Sequence, residues 1–172
     1  ASTTRITANG ADQAMPSIDG DLLAYVDFSA NQGDIVLYAL SSGSTSRLEI
    51  TGPQMYPVVS GRWLAYEDHS SPYTTVVVRA LDGSYQNEFG SSNYSATRPV
   101  IAGDLLVYEN RDASGSAGDA DIKALDLATK TEFLIASSDA QELFPATDGR
   151  YVAWAVATEN GSFRIRMYDR QT

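Results

Sequence analysis

The stretch "PSIDGDLLAYVD" at residues 16–27 returns as "PVVSGRWLAYED" at 57–68, "PVIAGDLLVYEN" at 99–110 and "PATDGRYVAWAV" at 145–156. The glycines inside the four phrases, Gly20, Gly61, Gly103 and Gly149, lie 41, 42 and 46 residues apart, a period that signals a repeat architecture. Two residues after each glycine stand Leu22, Trp63, Leu105 and Tyr151; three after, Leu23, Leu64, Leu106 and Val152; five after, Tyr25, Tyr66, Tyr108 and Trp154. Such short runs, rich in large apolar residues and bounded by Gly, Asp and Ser, read as strands. Both side-chain parities are apolar, so each strand is predicted to have both faces covered, as in a sheet packed between two other sheets.

Each unit reads as four strands. In the first, "AMPSID", "DLLAYVDF", "DIVLYALS" and "TSRLEI" are separated by turn residues. A proline opens each unit (Pro16, Pro57, Pro99, Pro145), where no ladder donor is lost. No window holds sustained helical spacing with a cap. The predicted fold is all-β: a single domain over 1–172 forming a four-bladed β-propeller of four-stranded antiparallel blades. Blade 1 covers about 14–50, blade 2 about 55–89, blade 3 about 97–136 and blade 4 about 142–170. Blade 4 stops short of a fourth strand. Near the other end of the chain, "STTRITANGADQAMP" aligns with "STSRLEITGPQMYP", placing Arg5, Ile6 and Thr7 beside Arg47, Leu48 and Glu49. The expectation is that residues 2–8 complete blade 4 and close the ring, removing its open edges.

These phrases, together with "GDIVLYAL", "ADIKALDL", "TRIT" and "SRLEI", resemble the TolB-like β-propeller repeats over essentially the whole chain. The second and fourth units depart from that pattern, since "TTVVVRAL" and "FRIRMYDR" lack the Asp that opens the third strand. The resemblance implies a propeller scaffold. Because typical members have more blades, it also implies either an unusually small ring or half of a two-chain ring; a monomer is expected over a two-chain eight-bladed assembly. The enzyme branch of the resemblance, the pectate-fragment lyases with several metal-binding histidines, does not carry over to a chain with the single histidine His69.

Charge and composition narrow the function. Twelve Lys and Arg against 22 Asp and Glu give a net charge of −10, which repels nucleic acid and anionic membrane surfaces. No apolar run approaches the ~18 residues of a membrane span, so membrane insertion is not expected. Absence of Cys removes thiol catalysis and thiolate metal sites. Scarce Lys, abundant small polar residues and the start "ASTT", which reads as a mature terminus, point to a secreted, cell-surface or periplasmic protein of bacterial or archaeal type.

The loops expected on one face carry Asp27, Asp34, Glu67, Asp68, Glu109, Asp112, Asp119, Asp121, Asp139, Glu142 and Glu159. This acidic face suits a cationic or cation-bridged partner. Within it, the long loop "NRDASGSAGDAD" offers Asp112, Asp119 and Asp121 as calcium ligands, although the spacing is not that of a helix-loop-helix calcium loop. Otherwise no cofactor is expected. His69 reads as a plain surface histidine. At the channel mouth, Gln13, Gln54, Ala96 and Glu142 stand three residues before the prolines, and Met15, Tyr56, Arg98 and Phe144 immediately before them. Gln13, Gln54, Tyr56, Arg98 and Glu142 are the candidate ligand-binding residues; the other reading of Tyr56 and Phe144 is inter-blade core. The function expected is a non-catalytic extracytoplasmic binding module for a protein or cell-surface polysaccharide. The alternative is a carbohydrate-active hydrolase or lyase using paired carboxylates in the channel-mouth loops.

Overall fold

A computed structural model describes residues 2–29, 32–112 and 120–171, the side chain of Asp112 excepted. Fifteen strands and no helix occur among these residues. Blade 1 is β1 (Gln13–Asp19), β2 (Leu22–Asp27), β3 (Asp34–Ala39) and β4 (Thr45–Arg47). Blade 2 is β5 (Gln54–Ser60), β6 (Trp63–Asp68), β7 (Thr75–Ala80) and β8 (Gln86–Phe89). Blade 3 is β9 (Tyr94–Ala102), β10 (Leu105–Asp112), β11 (Ala120–Asp126) and β12 (Thr131–Ala136), and blade 4 is β13 (Glu142–Thr147), β14 (Tyr151–Ala157) and β15 (Phe163–Asp169). Each blade is an antiparallel meander in chain order.

Two local devices recur. Asp19 pairs with Leu22, Ser60 with Trp63 and Ala102 with Leu105, so Gly20, Gly61 and Gly103 each open a two-residue hairpin, with φ of 55°, 53° and 56°. The next residue of each turn is outside the positive-φ set. This is the type II′ turn, which matches the strand twist and places Gly first. A Cβ at these three glycines would meet nothing within 4 Å, so conformation, not space, selects Gly there.

The second device is a bulge in every first strand. Met15–Pro16, Tyr56–Pro57, Arg98–Pro99 and Phe144–Pro145 each set two residues against one aromatic of the neighbouring strand: Tyr25, Tyr66, Tyr108 and Trp154. The residue before each proline has a left-handed backbone, at φ 55°, 51°, 53° and 58°. That conformation costs a bulky residue roughly 1–3 kcal/mol, so surrounding contacts must hold it. The bulge turns the side chain out of the alternation and toward the interior of the ring.

Packing follows the two-faced pattern. Ala24 and Ile35 of blade 1 meet Val59, Leu64, Tyr66 and Val77 of blade 2. Trp63, Val76, Val78 and Phe89 of blade 2 meet Leu106, Tyr108 and Leu125 of blade 3, and Leu105, Val107 and Ile122 of blade 3 meet Val152, Trp154 and Val156 of blade 4. Consecutive residues of β10 therefore serve opposite interfaces.

The four-bladed all-β propeller arrangement is the one predicted, but the closing strand is not. Blade 4 holds three strands, and residues 2–8 lie in no strand. Arg5 Nε donates 2.5 Å to the Thr7 carbonyl, so the segment bonds to itself. Ile6 and Thr7 instead line a small cavity with Leu23 and Tyr25 of blade 1. The matching segment therefore borders blade 1, and no strand pairing with blade 4 is seen among the described residues. Among the described residues the cluster of Leu23, Tyr25, Val36 and Tyr38 belongs to blade 1 alone, and no cluster joins blade 4 back to it. On β15, Phe163, Ile165 and Met167 are exposed.

Candidate functional site

The four bulges converge on one cavity of about 860 Å³. Its wall is made by Met15, Tyr56, Arg98, Phe144 and the prolines that follow them, with Glu67, His69 and Arg111 reaching in from the second strands and the loop after β6. The size is that of a small-molecule or peptide-segment pocket.

Two buried glutamates hold this wall in place. Glu67, near the end of β6, accepts the Arg98 amide at 2.7 Å through Oε1 and faces His69 Nε2 at 2.8 Å through Oε2. Glu109, at the same position of β10, accepts the Phe144 amide at 2.8 Å through Oε1. Its Oε1 also lies 3.3 Å from Arg98 Nε. Its Oε2 accepts Arg111 Nη2 at 2.6 Å and Nε at 3.1 Å. Each carboxylate thus fixes the strained amide of the following blade, satisfying a donor that the bulge removes from the ladder. Blades 1 and 4 carry Val26 and Ala155 in this column, and the Tyr56 amide faces Met15 Sδ at 3.4 Å instead.

On the cavity side the Arg98 guanidinium lies 4.6 Å from the Phe144 ring centroid. Tyr56 and Phe144 are 50% and 51% exposed, which corrects their reading as inter-blade core: the left-handed bulge swings them off the packed faces. His69 is likewise no plain surface histidine; it bridges Glu67 and Thr74, with Nδ1 3.4 Å from Thr74 Oγ1.

Of the five candidate ligand-binding residues, Tyr56 and Arg98 reach the cavity. Gln13, Gln54 and Glu142 begin the first strands and brace the loops that lead into them. Gln13 Nε2 donates to the Ala11 carbonyl at 2.7 Å, Gln54 Nε2 to the Gly52 carbonyl at 2.6 Å, and Ser138 Oγ to Glu142 Oε1 at 2.6 Å. Glu67, Glu109 and Arg111 stand outside the candidate ligand-binding residues of the sequence; the signal for the two glutamates is the "YE" near the end of the second and third phrases.

The loop acids divide. Asp27, Glu67, Glu109 and Glu142 are buried. Arg47 bridges Asp27 at 3.3 Å and Asp34 at 2.6 Å. Burial alone would raise the Asp27 acid, but hydrogen bonds from Ser29, Asn9 and Arg47 outweigh it and hold the group well below the usual carboxylate range. Asp139 and Glu159 are exposed. Of the calcium candidates, Asp119 and the side chain of Asp112 lie outside the described residues, and Asp121 is the second residue of β11, opposite Asn110. Among the described residues no group of three or more acidic, His or Cys side chains is placed to hold a metal ion.

Glu142 behaves oppositely to Asp27. Burial pushes its acid up, Ser138 opposes the shift and Asp121 adds to it. A raised folded-state value means no penalty below the ordinary glutamate range, where the group is protonated in both states, and a penalty that grows as pH rises through the folded value. Gln54 fills the same position in blade 2 without charge. Glu142→Gln is therefore expected to raise the melting temperature at pH 7 and leave it nearly unchanged at pH 3.5. A mutant no more stable than the parent at pH 7 would contradict this.

No protein-family model matches the sequence, and no curated protein matches it. Solved structures do match in fold. Over 97% of this chain and 43% of the other, it is similar to TolB from Acinetobacter baumannii, with a TM-score of 0.70 at 16% identity. The β-propeller domain of the Trilobed protease from Pyrococcus furiosus, described as having an open velcro topology, matches 92% of this chain over 55% of its own, with a TM-score of 0.66 at 15% identity. A putative TolB from Agrobacterium tumefaciens matches 75% of this chain over 50% of its own, with a TM-score of 0.58 at 21% identity. The chain thus spans about half, or less, of the length of the first structures it matches, and at these identities the likeness is one of fold: a TolB-like β-propeller.

Proposed function

We propose that this propeller is a non-catalytic binding module, working outside the cytoplasm, that receives a protein or cell-surface polysaccharide at its axial cavity. The observation that carries the reading is the convergence of four strained bulges on that cavity, with Tyr56 and Phe144 half exposed beside Arg98. Two of the four bulges, at Arg98 and Phe144, are held in place by buried carboxylates, and residues kept in strained backbone conformations cluster at functional sites. The fold likeness to TolB and to the propeller domain of a protease supports a scaffold role. The Lys-poor composition rich in small polar residues supports an extracytoplasmic setting. Neither Glu67 nor Glu109 is placed for acid–base exchange with a ligand, because each already accepts a backbone amide and faces a cationic or imidazole side chain.

Exposed loop acids such as Asp139 and Glu159 would favour a partner with basic surroundings, and Asp112, Asp119 and Asp121 would let calcium bridge to it. The test is retention on glycan arrays and on immobilised envelope proteins at 50 and 500 mM salt, with and without calcium. Tyr56→Ala combined with Phe144→Ala should abolish binding at an unchanged melting temperature. High salt should weaken it, and Asp119→Ala with Asp121→Ala should remove any calcium gain. Binding indifferent to the two aromatic substitutions would move the site elsewhere, and turnover of a retained glycan would restore the enzyme alternative.

A further inference from the structure

We propose that the axial cavity recognises a carboxylate on a peptide with an apolar neighbour, and that Arg98 and Arg111 read it; the proposal rests on the binding reading above and names the ligand class for that site. The argument starts from donors and acceptors. Glu109 is fully buried, and its two oxygens are already occupied by the Phe144 amide, Arg98, Arg111 and Thr97. The guanidinium groups are not used up. Arg98 commits its Nε to Glu109, and Arg111 commits Nε and Nη2. Their other N–H groups have no protein partner among the described residues, while the two side chains are 51% and 39% exposed. Glu109 and Glu67 balance the two guanidinium charges in number, but the carboxylate oxygens are committed inside the protein while several guanidinium N–H groups are left over, so the cavity offers donors in excess of acceptors. The Glu67 charge, in turn, is directed at the Arg98 amide and His69.

A cavity with unused, cationic, planar donors and no free acceptor of comparable strength suits a carboxylate, which accepts from a guanidinium in charge-assisted bonds. The rest of the wall sets the ligand's other half. Ser17, Glu67, His69 and Thr97 also line it, but each is already bonded within the protein, and the remaining Met15, Tyr56, Phe144 and four prolines are apolar or aromatic, which leaves few groups free to satisfy the hydroxyls of a sugar. The net charge of −10 disfavours a polyanion at long range. An isolated carboxylate beside an aromatic or aliphatic side chain meets all three conditions.

The experiment is a titration of the whole chain with N-acetyl-L-phenylalanine, with N-acetyl-L-phenylalanine amide and with galacturonic acid, followed by NMR on the arginine Nε–Hε and aromatic resonances. The acid should shift the Arg98 and Arg111 signals saturably and bind at least about tenfold more tightly than the amide, the size of one charge-assisted bond. Arg98→Gln, which leaves Arg111 on Glu109, should reduce that preference to about twofold or less. The parent's acid-to-amide ratio is read without any variant, so a misfolded mutant does not decide the matter. Equal binding of acid and amide with the Tyr56 and Phe144 signals moving would overturn the carboxylate inference and leave the cavity as the binding site. Galacturonic acid binding as tightly as the aromatic acid would overturn it in favour of a sugar acid. If no probe moves any cavity resonance, the inference falls, and indifference of partner binding to the aromatic substitutions would remove the cavity reading with it.

Discussion

Glu109→Ala is expected to destabilise the fold by about 3 kcal/mol, because it removes a buried charge on which two blades depend. The side chain is fully buried and accepts the Phe144 amide and Arg111 while lying beside Arg98. Arg98 and Arg111 are partly exposed and can rehydrate, which keeps the cost below that of a fully enclosed pair. The Phe144 amide cannot easily follow them, since its left-handed backbone at φ 58° points it at the missing oxygen. Glu109→Gln retains an acceptor for that amide and should cost roughly half as much. Urea denaturation would measure both. A loss under about 1 kcal/mol for the alanine variant would mean that the bulge is held by Pro145 and packing alone.

Trp63→Ala should be at least as damaging, about 4 kcal/mol, by emptying the interface between blades 2 and 3. The indole is 4% exposed and donates to Asp104 Oδ1 at 2.9 Å across that interface. Lys130 Nζ lies 4.3 Å and the Arg62 guanidinium 4.9 Å from the ring, and Tyr85 meets it edge-on at 5.8 Å. Trp63→Phe keeps most of the apolar area and loses the hydrogen bond and part of the cation attraction, for about 1–2 kcal/mol. Each blade packs mainly on its sequence neighbours, so the alanine variant should also broaden the unfolding transition, with blades 1–2 and 3–4 separating. A cooperative transition of unchanged width with a small loss would show that the interface is carried by Leu106, Tyr108 and Phe89 without the indole.

What the sequence determined by itself was everything that depends on pattern and period. Four copies of one phrase set four sheets, the glycines set the hairpins, and apolar residues at both parities of "LLVYEN" set a strand buried on two faces. These are local or averaged properties, and burial of apolar surface enforces them wherever the chain goes. Tertiary structure decided the rest. Whether "TRIT" pairs with blade 4 or lies beside blade 1 depends on where an edge and an apolar surface meet in space, and Ile6 borders the cavity beside Leu23 and Tyr25. Gln13, Gln54 and Glu142 share a sequence column with no common target, because each found the nearest backbone or hydroxyl group in its own loop. Tyr56, Arg98 and Phe144 point inward only because a bulge before proline reverses the strand's alternation, and Glu67 and Glu109 matter because that reversal leaves an amide of the next blade to be satisfied. An alternation rule fixes which face a residue takes along a regular strand; once one residue is inserted, direction is set by the backbone geometry of the folded ring.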